Sequence, residues 1–172
     1  VGGTKDPRKG LHILEEALKI LGDYYCENIE DKIQILVFGE KSNKKYINNL
    51  PVDSLGSFSD DLSLRVVYSA ADVMVVPSIQ EAFGQTASEA HACATPVVAF
   101  KGGGLVDVMS HKETGYLADP YDSNSLAYGI NWCLENDERN KKISLQARLK
   151  AKKYWDSRII AKKYIDAYRS VF

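Results

Sequence analysis

Two glutamates separated by seven residues are the first candidates for chemistry in this sequence. Glu81 and Glu89 lie in the stretch VVPSIQEAFGQTASEAHACATPVVAF, which covers residues 75–100. An ionised carboxylate can take up a proton, or it can accept hydrogen bonds from hydroxyl groups through its two oxygens. The stretch therefore raises the question of whether these carboxylates catalyse a reaction, hold a ligand or only support a helix.

A structural role is available for one of the two glutamates. Thr86 followed three residues later by Glu89 predicts a capping box, with Thr86 as the N-cap and Glu89 at the third helical position. Glu81 precedes this helix in a loop, where its plain interpretation is a solvated charge. A purely structural reading thus leaves Glu81 without a role.

A ligand-binding role uses both glutamates. Free backbone N–H groups at a helix start near Thr86 favour an anion, and so does the helix dipole. A diphosphate could rest on these amides, with a carboxylate on either side accepting hydrogen bonds from hydroxyl groups. This arrangement of phosphate between hydroxyls is typical of a nucleotide sugar.

The elements that must position these residues alternate between strand and helix. Continuous apolar runs predict buried strands at IQILVFG, DVMVVP and PVVAF, with weaker candidates at VDSLGSF and TGYLAD. Helical periodicity marks GLHILEEALKILGDYY, LSLRVVYSAA, TASEAHACA and most of the chain from about residue 123. We therefore predict one α/β domain over residues 1–172, a Rossmann-like three-layer parallel sheet with helices on both faces.

Glycines and cations follow several predicted strands. Gly2 and Gly3 end the strand stub VGG at the start of the chain, and Lys101 to Gly104 follow PVVAF. Ligands of open parallel sheets bind at the carboxyl ends of the strands, where glycine permits close backbone approach. The pattern favours an anionic, phosphorylated small molecule, although an ordinary turn explains each glycine equally well. The opening VGGT, which starts mid-strand, leads us to expect a piece of a longer protein.

Composition and missing motifs exclude several classes. The net charge of -1 carries no general nucleic-acid signature, and no apolar run is long enough to span a membrane. Three widely spaced cysteines indicate reduced thiols and a cytoplasmic protein. There is no P-loop, dinucleotide fingerprint, nucleophile elbow or Asp-x-Asp motif. We expect no metal ion and no cofactor.

The central stretch resembles the E-x7-E signature of the retaining nucleotide-sugar glycosyltransferases of family four, the glycosyl transferases group 1, which have the GT-B fold. The resemblance extends over nearly the whole chain. It is carried in order by DPRKGLHILEEAL, ILVFGE, SAADVMVVPS, the signature itself and KGGGLVDVMSHKETGYLADPYD. It implies the C-terminal, donor-binding half of a two-domain enzyme whose absent N-terminal domain binds the acceptor.

The resemblance assigns roles to individual residues. It makes Lys9 the residue that neutralises the diphosphate, Glu81 a contact to a hydroxyl of the donor sugar, and Glu89 an acceptor for the ribose hydroxyls. Lys9 and Glu81 are thereby the implied catalytic residues, and the donor is a UDP- or GDP-linked sugar. Further donor contacts are implied for Gly3, Phe58, Phe83, Gly84, Gln85, Thr86 and Gly104.

The sequence departs from the family pattern at three places. Gly2-Gly3 stands where the family commonly has Gly-Arg, and Arg8 is a candidate to replace that arginine, although its side chain could also point away. Ala94 stands for a glycine before the next strand. Asp107 stands where glutamate is usual.

Half of the chain's lysines and arginines, 11 of 22, occur from Arg139 onward, among several aromatic residues. One interpretation is peripheral contact with anionic lipid at the inner face of the membrane, which would suit a glycolipid acceptor. The interpretation we favour is a solvated basic face, with Ile160, Tyr164 and Tyr168 packing inward.

Other functions remain open at this point. Another GT-B enzyme, such as a sugar-nucleotide epimerase or a phosphorylase, would share the fold. A non-catalytic nucleotide-sugar-binding module would share the site. A flavodoxin-like signalling receiver is disfavoured, because VGGT offers no acidic pair.

Overall fold

The computed structural model describes residues 6–39 and 45–171. The predicted strand stub VGG, with Gly2 and Gly3, lies outside these residues. The strands are β1 Ile35–Val37, β2 Tyr46–Ile47, β3 Leu50–Ser54, β4 Met74–Val76, β5 Val97–Phe100 and β6 Gly115–Ala118. A 3₁₀ turn at Pro7–Lys9 precedes the helices α1 Leu11–Tyr24, α2 Ile29–Lys32, α3 Asp61–Ala70, α4 Gln85–Ala92, α5 Leu105–Val108, α6 Ser123–Leu134, α7 Asp137–Tyr154 and α8 Ser157–Arg169.

The described strands form two groups. Strands β4, β5 and β6 are parallel neighbours, with Val75 beside Val98 and Val98 beside Tyr116. Strand β1 pairs in parallel with β3, which also pairs antiparallel with the short β2. The antiparallel β2 is an addition that the sequence reasoning missed, because a strand of two residues has no measurable periodicity.

Both faces of the parallel β4–β5–β6 sheet are covered, as predicted. All four residues of β5 are buried, and they alternate between two apolar cores. Val98 and Phe100 belong to the core under α1 and α6, whereas Val97 and Ala99 belong to the core under α3, α4 and α5. Such a strand must be apolar at every position, which is why PVVAF has no polar residue. The predicted three-layer α/β fold is confirmed.

Helix α8 corrects the favoured interpretation of the basic C-terminal end. None of its residues is buried, and Tyr164 and Tyr168 are 60% and 64% exposed. Only Ile160 is partly covered. Periodicity predicts that a helix has an apolar face but not what covers that face, so the expected inward packing was wrong. In the described part of the chain, no helix combines the length and apolarity needed to cross a bilayer.

Candidate functional site

Lys9 and Glu81 meet at the carboxyl end of β4. The Lys9 Nζ lies 3.2 Å from Glu81 Oε2, and both side chains are partly buried. The turn that carries Lys9 is docked on the segment after β4, because the backbone N–H of Ile79 donates to the carbonyl of Arg8 at 2.7 Å. Gly10 has φ +66°, and a Cβ there would lie 1.9 Å from the carbonyl oxygen of Pro77. The two residues predicted to be catalytic are therefore brought together by a close backbone contact.

Arg8 does not point toward this pair. Its guanidinium binds Asp6 through two nitrogens, at 3.1 Å from Nε and 2.8 Å from Nη2, and its side chain is 71% exposed. These hydrogen bonds lower the pKa of Asp6 and raise that of Arg8. In this structure the candidate replacement for the missing phosphate arginine is therefore engaged by a neighbouring carboxylate.

The loop after β5 supports the loop that carries Glu81. The N–H of Gly104 donates to the carbonyl of Glu81 at 3.1 Å. A Cβ on Gly103 would lie 2.2 Å from that same oxygen, and one on Gly104 would lie 2.3 Å from the carbonyl oxygen of Ala82. A Cβ on Gly102 would meet nothing within 4 Å. Gly103 and Gly104 are thus required for contact between two protein loops, whatever the ligand.

Helix α4 begins differently from the prediction. Its N-cap is Gly84, with φ +90° and no side-chain cap, and the helix starts at Gln85. The capping box is therefore wrong, and Thr86 and Glu89 are the second and fifth helical residues. Glycine reaches this left-handed conformation without steric cost, so the chain can turn sharply into the helix without a hydroxyl cap. The start of α4 carries no side-chain cap, and it directly follows the segment containing Glu81.

Glu89 is held by two hydrogen bonds. The hydroxyl of Tyr68 donates to Oε2 at 2.8 Å, and the Gln85 amide donates to Oε1 at 2.9 Å. Tyr68, on α3, is only 3% exposed. Burial, followed by its hydrogen bond to Glu89, raises the pKa of Tyr68, so the phenol stays protonated as a donor.

Sequence reasoning missed Tyr68, although a usable signal existed. Its position on α3, one helical turn after Leu64, places it on the side that packs against the sheet. A buried tyrosine hydroxyl normally finds a hydrogen-bond partner. The partner is 21 residues away in sequence, however, and only the packing of α3 against α4 identifies it.

Phe58 lies on the loop after β3 and is half-buried in the same core as Tyr68. This loop is tied to the end of β1, because Ser57 Oγ donates to the carbonyl of Gly39 at 2.9 Å. Phe38, at the end of β1, packs edge-on against Tyr68 with ring centroids 5.3 Å apart. The structure therefore brings the Phe58 segment to the same side of the fold as Glu89.

Phe83 is covered by a residue that sequence reasoning did not select. Its ring is edge-on to that of Trp155, with centroids 5.1 Å apart, and Phe83 is 42% exposed. Trp155 directly follows α7, so the end of α7 reaches the loop of residues 77–84, which carries Glu81 and Phe83. A cavity of about 580 Å³ opens beside that loop, and its lining includes Arg8, Glu81, Lys101 and Tyr121.

The chain matches a family of known proteins over most of its length. The model of the family described as "Glycosyl transferases group 1" matches residues 3–150. The chain belongs to the glycosyl transferases group 1. Within the residues that the structure describes, no cluster of three His, Cys, Asp or Glu side chains could hold a metal ion.

Individual relatives agree with this family. An uncharacterized glycosyltransferase of Methanocaldococcus jannaschii is 32% identical over 173 aligned positions, covering 94% of this chain and 42% of the relative. Sucrose-phosphate synthase from Thermosynechococcus elongatus superposes with a TM-score of 0.79 at 31% identity, covering 97% of this chain and 43% of the other.

Anabaena HepE, solved in complex with UDP, also superposes with a TM-score of 0.79, at 27% identity. The superposition covers 98% of this chain and 47% of HepE. The described fold is therefore that of GT-B glycosyltransferases, and the chain spans less than half the length of each of these three proteins.

Proposed function

We propose that this chain is the donor-binding half of a retaining glycosyltransferase that uses a nucleoside-diphosphate sugar. The observation that carries the proposal is the meeting of Lys9 and Glu81 beside the uncapped start of α4, at the carboxyl end of β4. A cation, helix N–H groups and a carboxylate at one strand end suit a ligand that has both phosphates and hydroxyls. The UDP complex of the structural neighbour HepE supports a UDP-linked donor, with GDP as the second candidate.

Each residue has a defined part in this proposal. Lys9 neutralises the diphosphate, and the N–H groups at the start of α4 donate hydrogen bonds to the diphosphate oxygens. Glu81 accepts a hydrogen bond from the donor sugar, and Glu89 accepts from the ribose. The main chain at Phe58 borders the base. The diphosphate and sugar are lined by the segment Phe83 to Thr86, including Gly84 and Gln85. Gly104 supports the loop that carries this segment. Gly3 lies outside the described residues.

The chemistry required of these residues is electrostatic. As the sugar leaves, negative charge grows on the diphosphate, and a preorganised cation with aimed N–H groups stabilises that charge. The Lys9 ammonium is paired with Glu81, and this pairing fixes its position in the site. We propose that transfer proceeds with retention, as the family resemblance implies. We also propose that it needs no metal ion, because Lys9 supplies the positive charge.

The rest of the reaction falls to parts of the full-length enzyme outside this chain. We propose that an N-terminal domain binds the acceptor, a glycan or glycolipid, and that the isolated chain binds nucleotide but transfers little or no sugar. We further propose a cytoplasmic enzyme acting in glycan, polysaccharide or glycolipid synthesis. For a lipid-linked acceptor, we propose peripheral contact with the anionic inner face of the membrane. The 11 lysines and arginines from Arg139 onward would make that contact.

The proposal is tested by titrating the chain with UDP and GDP in a calorimeter. We expect one of the two nucleotides to bind, and we expect Glu89→Gln to weaken that binding. Glu16 is an exposed glutamate on α1, and Glu16→Gln serves as the control that should weaken binding less. If neither nucleotide binds, the donor-site assignment is wrong. Incubating the full-length protein with the matching nucleotide sugar, and determining the product anomer by NMR, then separates a retaining transferase from an epimerase or a non-catalytic binding module.

A further inference from the structure

Tyr68 and Glu89 form a contact that the proposed function does not use. We infer that Tyr68 is a positioning residue that orients the Glu89 carboxylate, so that the site selects ribonucleotides over 2′-deoxyribonucleotides. The inference rests on the proposed function, because it takes Glu89 as the acceptor for ribose hydroxyls. It adds a second residue to that contact and a specificity that follows from it.

Tyr68 is suited to hold another side chain in place because it is itself fixed. Its backbone carbonyl accepts a hydrogen bond from Thr95 Oγ1 at 2.6 Å, within the buried part of the fold. Its ring packs edge-on against Phe38 at 5.3 Å. With 3% of its surface exposed, the phenol has little freedom to move, so its hydroxyl marks a fixed point beside Glu89.

The remaining acceptor capacity of Glu89 matches a ribose. A carboxylate offers about four lone-pair sites on two oxygens. Tyr68 occupies one site on Oε2, and Gln85 occupies one site on Oε1. Counting the partners from residues 6–39 and 45–171, one site on each oxygen is left, which suits two neighbouring hydroxyls that both donate. The 2′- and 3′-hydroxyls of a ribose have that arrangement, whereas a 2′-deoxyribose leaves one site without a donor.

The two partners of Glu89 differ in strength as anchors. Gln85 is exposed and lies one helical turn before Glu89 on the same helix, so its amide moves with α4 and can turn to water. Tyr68 comes from a different helix and is buried. Its hydroxyl therefore carries most of the orientation, and it donates to Glu89 because an ionised carboxylate can only accept.

The test is a set of calorimetric titrations with UDP, 2′-deoxy-UDP, GDP and 2′-deoxy-GDP. A hydrogen bond to a charged group corresponds to roughly a tenfold to hundredfold preference for the ribonucleotide in the unmodified chain. Tyr68→Phe should reduce that preference several-fold, because it weakens the ribonucleotide, which uses two hydroxyls on Glu89, more than the deoxyribonucleotide, which uses only the 3′-hydroxyl. Tyr128→Phe, at a partly exposed tyrosine on α6, is the matched control and should leave the preference intact.

A role in stability alone gives a different result. If Tyr68→Phe weakens both nucleotides equally, or keeps the full ribose preference, the inference is overturned. Glu89→Asp provides an independent check, since it keeps the charge but withdraws the carboxylate from the fixed hydroxyl. Glu89→Asp should by itself lose the ribonucleotide preference, and the double variant with Tyr68→Phe should lose no more of it. If Tyr68→Phe lowers the preference by the same factor in the Glu89→Asp chain as in the unmodified chain, the inference is contradicted.

The outcomes also separate this inference from the proposed function. Binding of UDP or GDP without any ribose preference overturns the role of Tyr68 and leaves the donor site standing. If none of the four nucleotides binds to the unmodified chain, both are overturned. Melting temperatures of all variants, measured beside the titrations, show that each one is folded.

Discussion

The carbonyl oxygen of Glu81 accepts a hydrogen bond from the backbone N–H of Gly104 at 3.1 Å. The loop after β4, which carries the candidate sugar-binding carboxylate, thus rests on the loop after β5. Gly103 approaches the same carbonyl so closely that an added Cβ would lie 2.2 Å from it. The glycine stretch therefore acts on the site by positioning a neighbouring loop.

We expect Gly104→Ala to displace the loop at Ala82 and Phe83, because its new methyl group would overlap their backbone. Overpacking of this kind typically lowers the free energy of unfolding by about 1–3 kcal/mol. Affinity for the nucleotide should fall on the order of tenfold, which corresponds to about 1.4 kcal/mol. Calorimetry and chemical denaturation measure the two effects.

Gly102→Ala is the matched control for that prediction. The new methyl group would meet no atom within 4 Å, so stability should change by no more than about 0.5 kcal/mol. Equal effects of the two substitutions would contradict the support that we assign to Gly104.

Lys9→Ala in the full-length enzyme should separate catalysis from folding. Loss of one group that stabilises transition-state charge typically lowers kcat about 10²- to 10³-fold. The Lys9–Glu81 pair is partly exposed, so its loss should cost at most about 1 kcal/mol of stability. Turnover and melting temperature are measured together, with Lys19→Ala on the exposed side of α1 as the control. Near-normal turnover of the Lys9 variant would remove Lys9 from the mechanism.

Ala94→Gly should stabilise the domain. Ala94 has φ +62°, in a helix end where the N–H of Thr95 donates to the carbonyl of Ala90 and the N–H of Ala94 donates to that of His91. This is a Schellman arrangement, in which the left-handed position favours glycine. Replacing alanine removes about 1–2 kcal/mol of steric strain from the left-handed backbone. The larger entropy of glycine in the unfolded chain offsets part of this, so the free energy of unfolding should rise by about 0.5–1 kcal/mol.

The control for this helix end is Ala92→Gly. Ala92 is the last residue of α4 and does not have a positive φ, so glycine there should destabilise the domain by up to about 1 kcal/mol. The two substitutions should thus have opposite signs in denaturant unfolding. Destabilisation by both would show that Ala94 carries no strain.

His91 should make stability depend on acidity. Burial lowers the pKa of His91 to about 4, and the charge of Lys150 also lowers it, while the backbone of Thr114 opposes the shift only in part. Neither ring nitrogen makes a hydrogen bond of good geometry within the described residues. Between pH 6.5 and about 4 the unfolded chain binds a proton at His91 that the folded domain excludes. The stability of the domain with neutral His91 is therefore fully present above pH 6.5, and it falls as the pH is lowered toward 4.

The loss should approach about 1.4 kcal/mol per pH unit within that window. Denaturant unfolding at several pH values measures it, and His91→Gln should remove this component although carboxylates continue to titrate. His12→Gln, at an exposed position, should leave the component unchanged. An identical pH profile for the unmodified chain and for His91→Gln would contradict the prediction.

Much of the fold could be predicted from the sequence because its signals are local. The fully apolar run PVVAF indicated a strand covered on both faces, and β5 is buried at all four positions. The period of α1 was equally clear, and Leu14, Leu18 and Leu21 are buried as expected. The order of motifs was sufficient to identify the family. Short-range periodicity determines these features, so they need no knowledge of how the elements pack.

The start of α4 shows where local rules compete. Thr86 and Glu89 satisfy the pattern of a capping box, but Gly84 is the N-cap and the helix begins at Gln85. The capping-box pattern takes no account of the tertiary contacts that hold Gly84 in its left-handed conformation. The close fit of Gly84 against Leu105, where a Cβ would lie 2.8 Å from the leucine side chain, is a tertiary contact that favours glycine at this turn.

The sequence by itself determined the α/β architecture, the family and the two glutamates as candidates for ligand binding. Only the tertiary structure decided what each glutamate touches: Lys9 for Glu81, and Tyr68 for Glu89. It also decided that α8 leaves its aromatic residues exposed. The physical reason is the same in each case. Periodicity shows which side of an element is apolar, but partners that lie 21 or 72 residues apart meet only through the packing of several elements.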